Sequence, residues 1–144
     1  MSKFVEIFTD GGSRGNPGPG GVGAVVKTDE KIKKYHQFLG DKVTNNEAEY
    51  EALIFALKKV KLLLGKAKAK QAELICYADS ELMVKQLNHQ YKLKNPGVQK
   101  RFIEIWNLML DFRQVKFVHI PREKNKEADE LANQAMNEAG SRLF

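Results

Sequence analysis

Of the 18 acidic residues in the chain, four sit where an ordinary surface charge does not belong. Asp10 follows the alternating run KFVEIFT and precedes a stretch, residues 11–23, that holds seven glycines and two prolines. Asp79 ends a second apolar run, AELICYA. Glu49 lies on a helical segment about 40° around the axis from Leu53, inside the apolar stripe, whereas Glu51 falls on the opposite face and Glu47 about 120° away. Asp129 belongs to the first turn of the last helical segment, beside Ala128, Leu131 and Ala132, where an acid also suits the helix dipole. A carboxylate turned toward a core costs several kcal/mol unless a cation or a hydrogen-bond donor meets it, and no Lys or Arg shares these inner stripes. Carboxylates converging on one spot also raise each other's pKa. Divalent cations relieve both costs, and oxygen ligands without a cysteine cluster select Mg²⁺ or Mn²⁺ over zinc. Taken singly, Asp10 is a turn former, Asp79 a helix cap, and Glu49 and Asp129 first-turn acids. Taken together they outline a two-metal carboxylate site acting on phosphate.

The elements that must position these acids follow from periodicity. Residues 3–8 alternate as a strand, and residues 21–28 and 31–40 form two more, joined closely enough at Asp29-Glu30 for an antiparallel hairpin. From 46 to 64 apolar residues recur at three and four, and Gly65 ends the helix. A strand over 72–78 leads through Asp79-Ser80 into a short helix, ELMVKQL. After the break at NPG, residues 98–110 form a helix expected to turn Phe102, Ile105, Trp106 and Met109 inward. A fifth strand covers 114–120 and stops at Pro121, and the last helix covers 125–140. A meander of three strands followed by βαβ-like crossovers implies an α/β fold, a mixed sheet with helices on its faces.

The 144 residues fit one domain, 1–144. A run of about 18 apolar residues, enough to span a bilayer, is missing, and the N-terminus has no signal-peptide pattern. A single cysteine, Cys76, excludes an internal disulfide and fits a reducing compartment, so a cytoplasmic location is expected. The net charge of +6 favours a polyanionic partner over a membrane. The lysines cluster at 58–71 and 91–101, either as solvated faces or as a phosphate-binding surface.

Four stretches, TDGGSRGNPGPGGVGAV, TNNEAEYEAL, YADSELMVKQL and HIPREKNKEADELANQA, span residues 9–135 and resemble, in order, the signature blocks of type 1 ribonuclease H. The ending is similar to that of the archaeal and plant-like branch. The resemblance implies an RNase H-like fold with a five-stranded sheet in the order 3-2-1-4-5, strand 2 antiparallel to the rest. It implies hydrolysis of the RNA strand of RNA–DNA hybrids with two Mg²⁺ ions (Mn²⁺ as an alternative) on Asp10, Glu49, Asp79 and Asp129, leaving 5′-phosphate and 3′-hydroxyl ends. The motif places its glutamate after Asn-Asn and two intervening residues, the same choice of Glu49 that helical phase makes.

By the same resemblance Gly11 and Gly12, with Asn16, approach the RNA 2′-hydroxyls, and Thr44, Asn45 and Asn46 form a hybrid-contacting turn, Thr44 also reading as a helix cap. Ser80 contacts the hybrid or caps its helix. His119, ten residues before Asp129, matches a mobile histidine that assists proton transfer or product release. Here, however, strand pattern runs up to His119, which also fits a structural histidine. Asn125 matches an asparagine that positions this loop or caps the helix. Residues 85–98 depart from the classical bacterial members in being short and lacking tryptophan, leaving Lys85, Lys92 and Lys94 as candidate phosphate contacts. A monomer is expected. The alternatives are a non-catalytic hybrid-binding module and another nuclease or strand-transfer enzyme on the same scaffold.

Overall fold

Alternating β-branched and aromatic residues carry the first strand to Asp10, and pairing with the next strand extends it through Gly11, Gly12 and Ser13. In the computed structural model, which describes residues 3–142, β1 spans Lys3–Ser13. Residues 1–2 and 143–144, part of the expected domain and N-terminal reading, lie outside the described residues. Next come β2 (Gly18–Lys27), β3 (Ile32–Val43), α1 (Asn45–Leu64), the short α2 (Lys66–Ala69) and β4 (Ala72–Ala78). The chain continues through α3 (Glu81–Leu87), α4 (Pro96–Met109), β5 (Gln114–His119), a 3-10 turn (Arg122–Lys124) and α5 (Lys126–Arg142). The five strands form one sheet in the order β3-β2-β1-β4-β5. β2 runs antiparallel to β1 and β3, while β1, β4 and β5 are mutually parallel, as expected.

The sheet is covered on both faces, and glycines decide how closely. Gly11 lies against α1: a Cβ there would stand 2.1 Å from the carbonyl oxygen of Ala48. On β2, a Cβ at Gly23 would stand 2.3 Å from the carbonyl oxygen of Ala128 on α5, and one at Gly21 2.8 Å from that of Ala132. Asp10 pairs with Gly23 across the ladder, so its side chain leaves the sheet on the α5 face, opposite Gly11. The main core lies under α1, where Val5, Ile7, Val26, Leu74, Leu53, Leu57 and Val60 are buried.

Helix ends follow local chemistry. Thr44 caps α1 in a reciprocal capping box with Glu47, Ser80 caps α3, and Asn95 caps α4 ahead of Pro96. Gly65 supplies the positive φ of 81° that ends α1.

One inward assignment is corrected. Trp106 is 53% exposed, although Ile105 is fully buried and Phe102 and Met109 pack partly on the core. α4 packs against α1 along a narrow seam, and Trp106 stands about 100° around the helix from Ile105, beyond its reach. Periodicity also missed α2, whose Ala69 is fully buried, and the turn at 122–124.

Candidate active site

The parallel ladder between β1 and β4 ends where Thr9 pairs with Ala78, yet β1 continues to Ser13 paired only with β2. From residue 10 onward the β4-side edge of β1 is therefore open. Asp79, the residue after β4, falls beside Asp10 at this notch. Glu49 reaches it from α1, which the bare backbone of Gly11 allows to sit against β1. The result is a cluster in which one carboxylate oxygen each from Asp10, Glu49 and Asp79 lie within 4.8 Å of one another. Asp129, in the first turn of α5, joins the same cleft of about 470 Å³, which Gly11, Gly12, Ser13, Arg14, Asn45, Arg122, Asn133 and Met136 also line.

Helical phase separates the three α1 glutamates as expected. Glu47 and Glu51 turn to Arg101 of α4, at 3.1 and 2.9 Å, which leaves Glu49 alone on the sheet side. The acids at the notch have little cationic relief. Among the described residues, the one ion pair to any of the four is Arg122 Nη2 to Asp129 Oδ1 at 4.0 Å, from a side chain 82% exposed. Glu49 Oε2 is buried and accepts no hydrogen bond among the described residues.

The electrostatic consequence is large. Burial, then the charge of Asp79, raises the Asp10 pKa from 3.8 to about 8. Burial, then the charges of Asp10 and Asp79, pushes Glu49 well above the ordinary carboxylate value. An all-oxygen donor set, a buried orphaned carboxylate oxygen and unrelieved negative charge fit hard divalent cations.

The other residues singled out in the sequence surround this cleft at varying distance. Asn45 Oδ1 accepts from Ser13 N at 3.0 Å, and Asn45 N donates to Asn16 Oδ1 at 3.0 Å, so the glycine-rich loop is tied to the start of α1. Asn46 is exposed beside them. Thr44 and Ser80 act as helix caps. His119 ends β5, paired with Ala78 and exposed, and it is not among the residues lining the cleft. Lys85 is engaged by Glu81 at 2.7 Å and Tyr91 at 3.3 Å, whereas Lys92 and Lys94 are exposed. Sequence reading missed Arg14 and Arg122 as cleft residues. Both lie in polar, non-periodic segments that carry no local signal of direction.

A five-stranded 3-2-1-4-5 sheet with acids gathered where β1 outruns β4 is the RNase H fold, and comparison with known proteins agrees. Residues 8–135 match the family model described as reverse transcriptase-like. A bifunctional protein of Mycobacterium tuberculosis is 39% identical over 138 residues, covering 94% of this chain and 36% of its own length. This chain thus spans about a third of that relative. The ribonuclease H of Hydrogenovibrio crunogenus is 34% identical over 143 residues, covering 93% of this chain and 96% of the relative. Among solved structures, LC11-RNase H1 in complex with an RNA/DNA hybrid superposes with a TM-score of 0.87 at 40% identity, over 94% of this chain and 98% of that one. The N-terminal RNase H domain from M. tuberculosis gives 0.86 at 39% identity, over 99% and 100%. The chain belongs to the type 1 ribonuclease H family.

Proposed function

We propose that the protein is an endoribonuclease that hydrolyses the RNA strand of RNA–DNA hybrids with two divalent metal ions, leaving 5′-phosphate and 3′-hydroxyl ends. The observation that carries this reading is the gathering of Asp10, Glu49 and Asp79 from three distant segments to within 4.8 Å, with Asp129 in the same cleft. Asp10, Glu49, Asp79 and Asp129 are the proposed ligands. Mg²⁺ or Mn²⁺ bound there would supply an acidified water and neutralise charge at the scissile phosphate.

The chain's own contribution is placement. The end of β1 fixes Asp10 beside Glu49 and Asp79, and together these carboxylates would hold the divalent cations. Gly11 and Gly12 bring bare backbone to the RNA 2′-hydroxyls, and Asn16 and Asn45, already linked to each other, brace that surface with Thr44, Asn46 and Ser80. His119, exposed at the end of β5, is proposed to carry a proton to or from the product. The single domain 1–144 and a monomeric state belong to the same reading. No helix among the described residues is long and apolar enough to cross a membrane.

The test is cleavage of end-labelled RNA–DNA hybrid, double-stranded RNA and duplex DNA, with Mg²⁺, with Mn²⁺ and with chelator. Cutting of the hybrid RNA strand is expected with either metal and is lost on chelation. Metal-independent cutting, or duplex DNA cut as fast as hybrid, contradicts the reading. A hybrid that binds without being cut in any metal points to the non-catalytic alternative.

The loop after α3 carries a second expectation. Replacing Lys92 and Lys94 together with alanine should weaken hybrid binding several-fold at low salt. It should also flatten the plot of log affinity against log salt by about 1 to 2 units, with saturating turnover retained. Fluorescence anisotropy across a salt series measures both. An unchanged slope removes these lysines from the interface.

A further inference from the structure

Asn125 joins the turn at 122–124 to α5 and is 2% exposed. Its Nδ2 donates to the carbonyl of Thr9 at 2.8 Å and to Asp79 Oδ2 at 3.0 Å. Its backbone carbonyl accepts from Asp129 N at 3.1 Å, and its backbone N donates to the carbonyl of Arg122 at 3.0 Å. One residue therefore touches the backbone just before Asp10, the carboxylate of Asp79 and the backbone of Asp129.

A helix-capping asparagine uses its side-chain oxygen to accept from the first amides of the helix. Asn125 does not: its Oδ1 is buried and accepts nothing among the described residues, while Nδ2 donates to two oxygens outside α5. Exchanging Oδ1 and Nδ2 would set an acceptor against the Thr9 carbonyl and the Asp79 carboxylate, so the orientation follows from its neighbours. A carboxylate held at Oδ2 alone keeps its other oxygen available. The identity of the donor matters as well. A Lys or Arg here would neutralise Asp79, and an Asp would add another repelling acid. A neutral amide orients the carboxylate and leaves its charge unspent.

We propose that Asn125 is a positioning residue that orients the Asp79 carboxylate toward divalent cations and ties the α5 turn bearing Asp129 to β1. This rests on the metal-dependent reading above, and the experiment separates the two.

Mn²⁺ is titrated calorimetrically into chelator-stripped wild type, Asp10→Asn, Asp79→Asn, Asn125→Ala and the Asp79→Asn/Asn125→Ala double variant, with melting followed in chelator for each. Asn125→Ala is expected to weaken Mn²⁺ binding at least tenfold in the wild-type background and less than twofold once Asp79 is Asn, because the effect passes through Asp79. A purely structural role would lower the melting temperature in both backgrounds and leave Mn²⁺ affinity alone. A second measurement needs no folded Asn125 variant: in wild type, the Asn125 side-chain amide NMR signals should shift on Mg²⁺ titration and on Asp79→Ala. Wild-type Mn²⁺ affinity in Asn125→Ala, equal losses in the two backgrounds, or amide signals that stay still overturn the proposal. If Asp10→Asn binds Mn²⁺ as wild type does, or wild type binds none, the metal reading falls and takes this proposal with it. Loss in Asp10→Asn with none in Asn125→Ala removes the proposal alone.

Discussion

Replacing Asp10 with Asn is expected to slow hybrid cleavage by about a thousandfold or more and, without divalent cations, to make the protein more stable. The two effects share one cause. Asp10 is held at the centre of the acid cluster by the end of β1, so the amide removes the negative oxygen on which the proposed ions depend. In metal-free protein the same oxygen is a liability. Burial and the charge of Asp79 raise its pKa to about 8, above the ordinary 3.8 of an unfolded chain.

Between those values the native state holds a proton that the unfolded chain has released. Stability therefore falls as pH rises through that window, at up to about 1.4 kcal/mol per pH unit, and levels off above pH 8. Coupled acids share protons, so the expected gain for Asp10→Asn at pH 7.5 is about 1–3 kcal/mol, or about 3–10 °C in melting temperature. The gain should shrink toward pH 5. Melting curves in chelator from pH 5 to 8.5 measure it, and adding Mg²⁺ should stabilise the wild type and not the variant. A variant that cuts at the wild-type rate would dismiss Asp10 as a ligand. One less stable than wild type at pH 7.5 would dismiss the crowding of charge.

Gly11→Ala should be strongly damaging, for a reason separate from substrate. The new methyl would meet the backbone of α1, 2.1 Å from the Ala48 carbonyl oxygen and 2.4 Å from its carbon. Neither can swing aside as a side chain can. The helix must move off the sheet, opening the core beneath it and carrying Glu49 away from Asp10. A loss of about 3 kcal/mol or more is expected, at the upper end of overpacking effects, together with a fall in turnover from a displaced carboxylate.

Gly12 is the control. A Cβ there comes only within 3.9 Å of Met136 Cε, so Gly12→Ala should melt as wild type does, and any loss of hybrid affinity reports contact with the nucleic acid. Urea unfolding and steady-state kinetics on both variants distinguish the roles. A Gly11→Ala protein of normal stability with only a raised KM would make Gly11 a substrate contact and nothing more.

Much of the site was legible in the chain because its signals are local. Helical phase alone separated Glu49 from Glu47 and Glu51, and the structure places those two on Arg101. The ends of two apolar runs located Asp10 and Asp79, and the first turn of the last helix located Asp129. Signals that depend on partners were misread or unseen. Trp106 is as apolar as its neighbours, yet the seam with α1 is too narrow to bury it. Gly11 was read for the substrate its backbone would meet, and the packing of α1 into the space a side chain there would fill went unseen. Asn125 allowed a capping role until its side-chain amide was seen donating to Asp79 and Thr9.

Period along the chain determined the main strands and helices, α2 and the turn at 122–124 excepted, because it depends on residues near one another in sequence, and the ordered motifs determined the family, whose sheet order came with the resemblance. Only the folded molecule decided where β4 stops against β1, how closely two helices settle on bare glycine backbone, and which donor holds Asp79. Those are distances between segments tens of residues apart, set by close packing that has no counterpart in any local pattern.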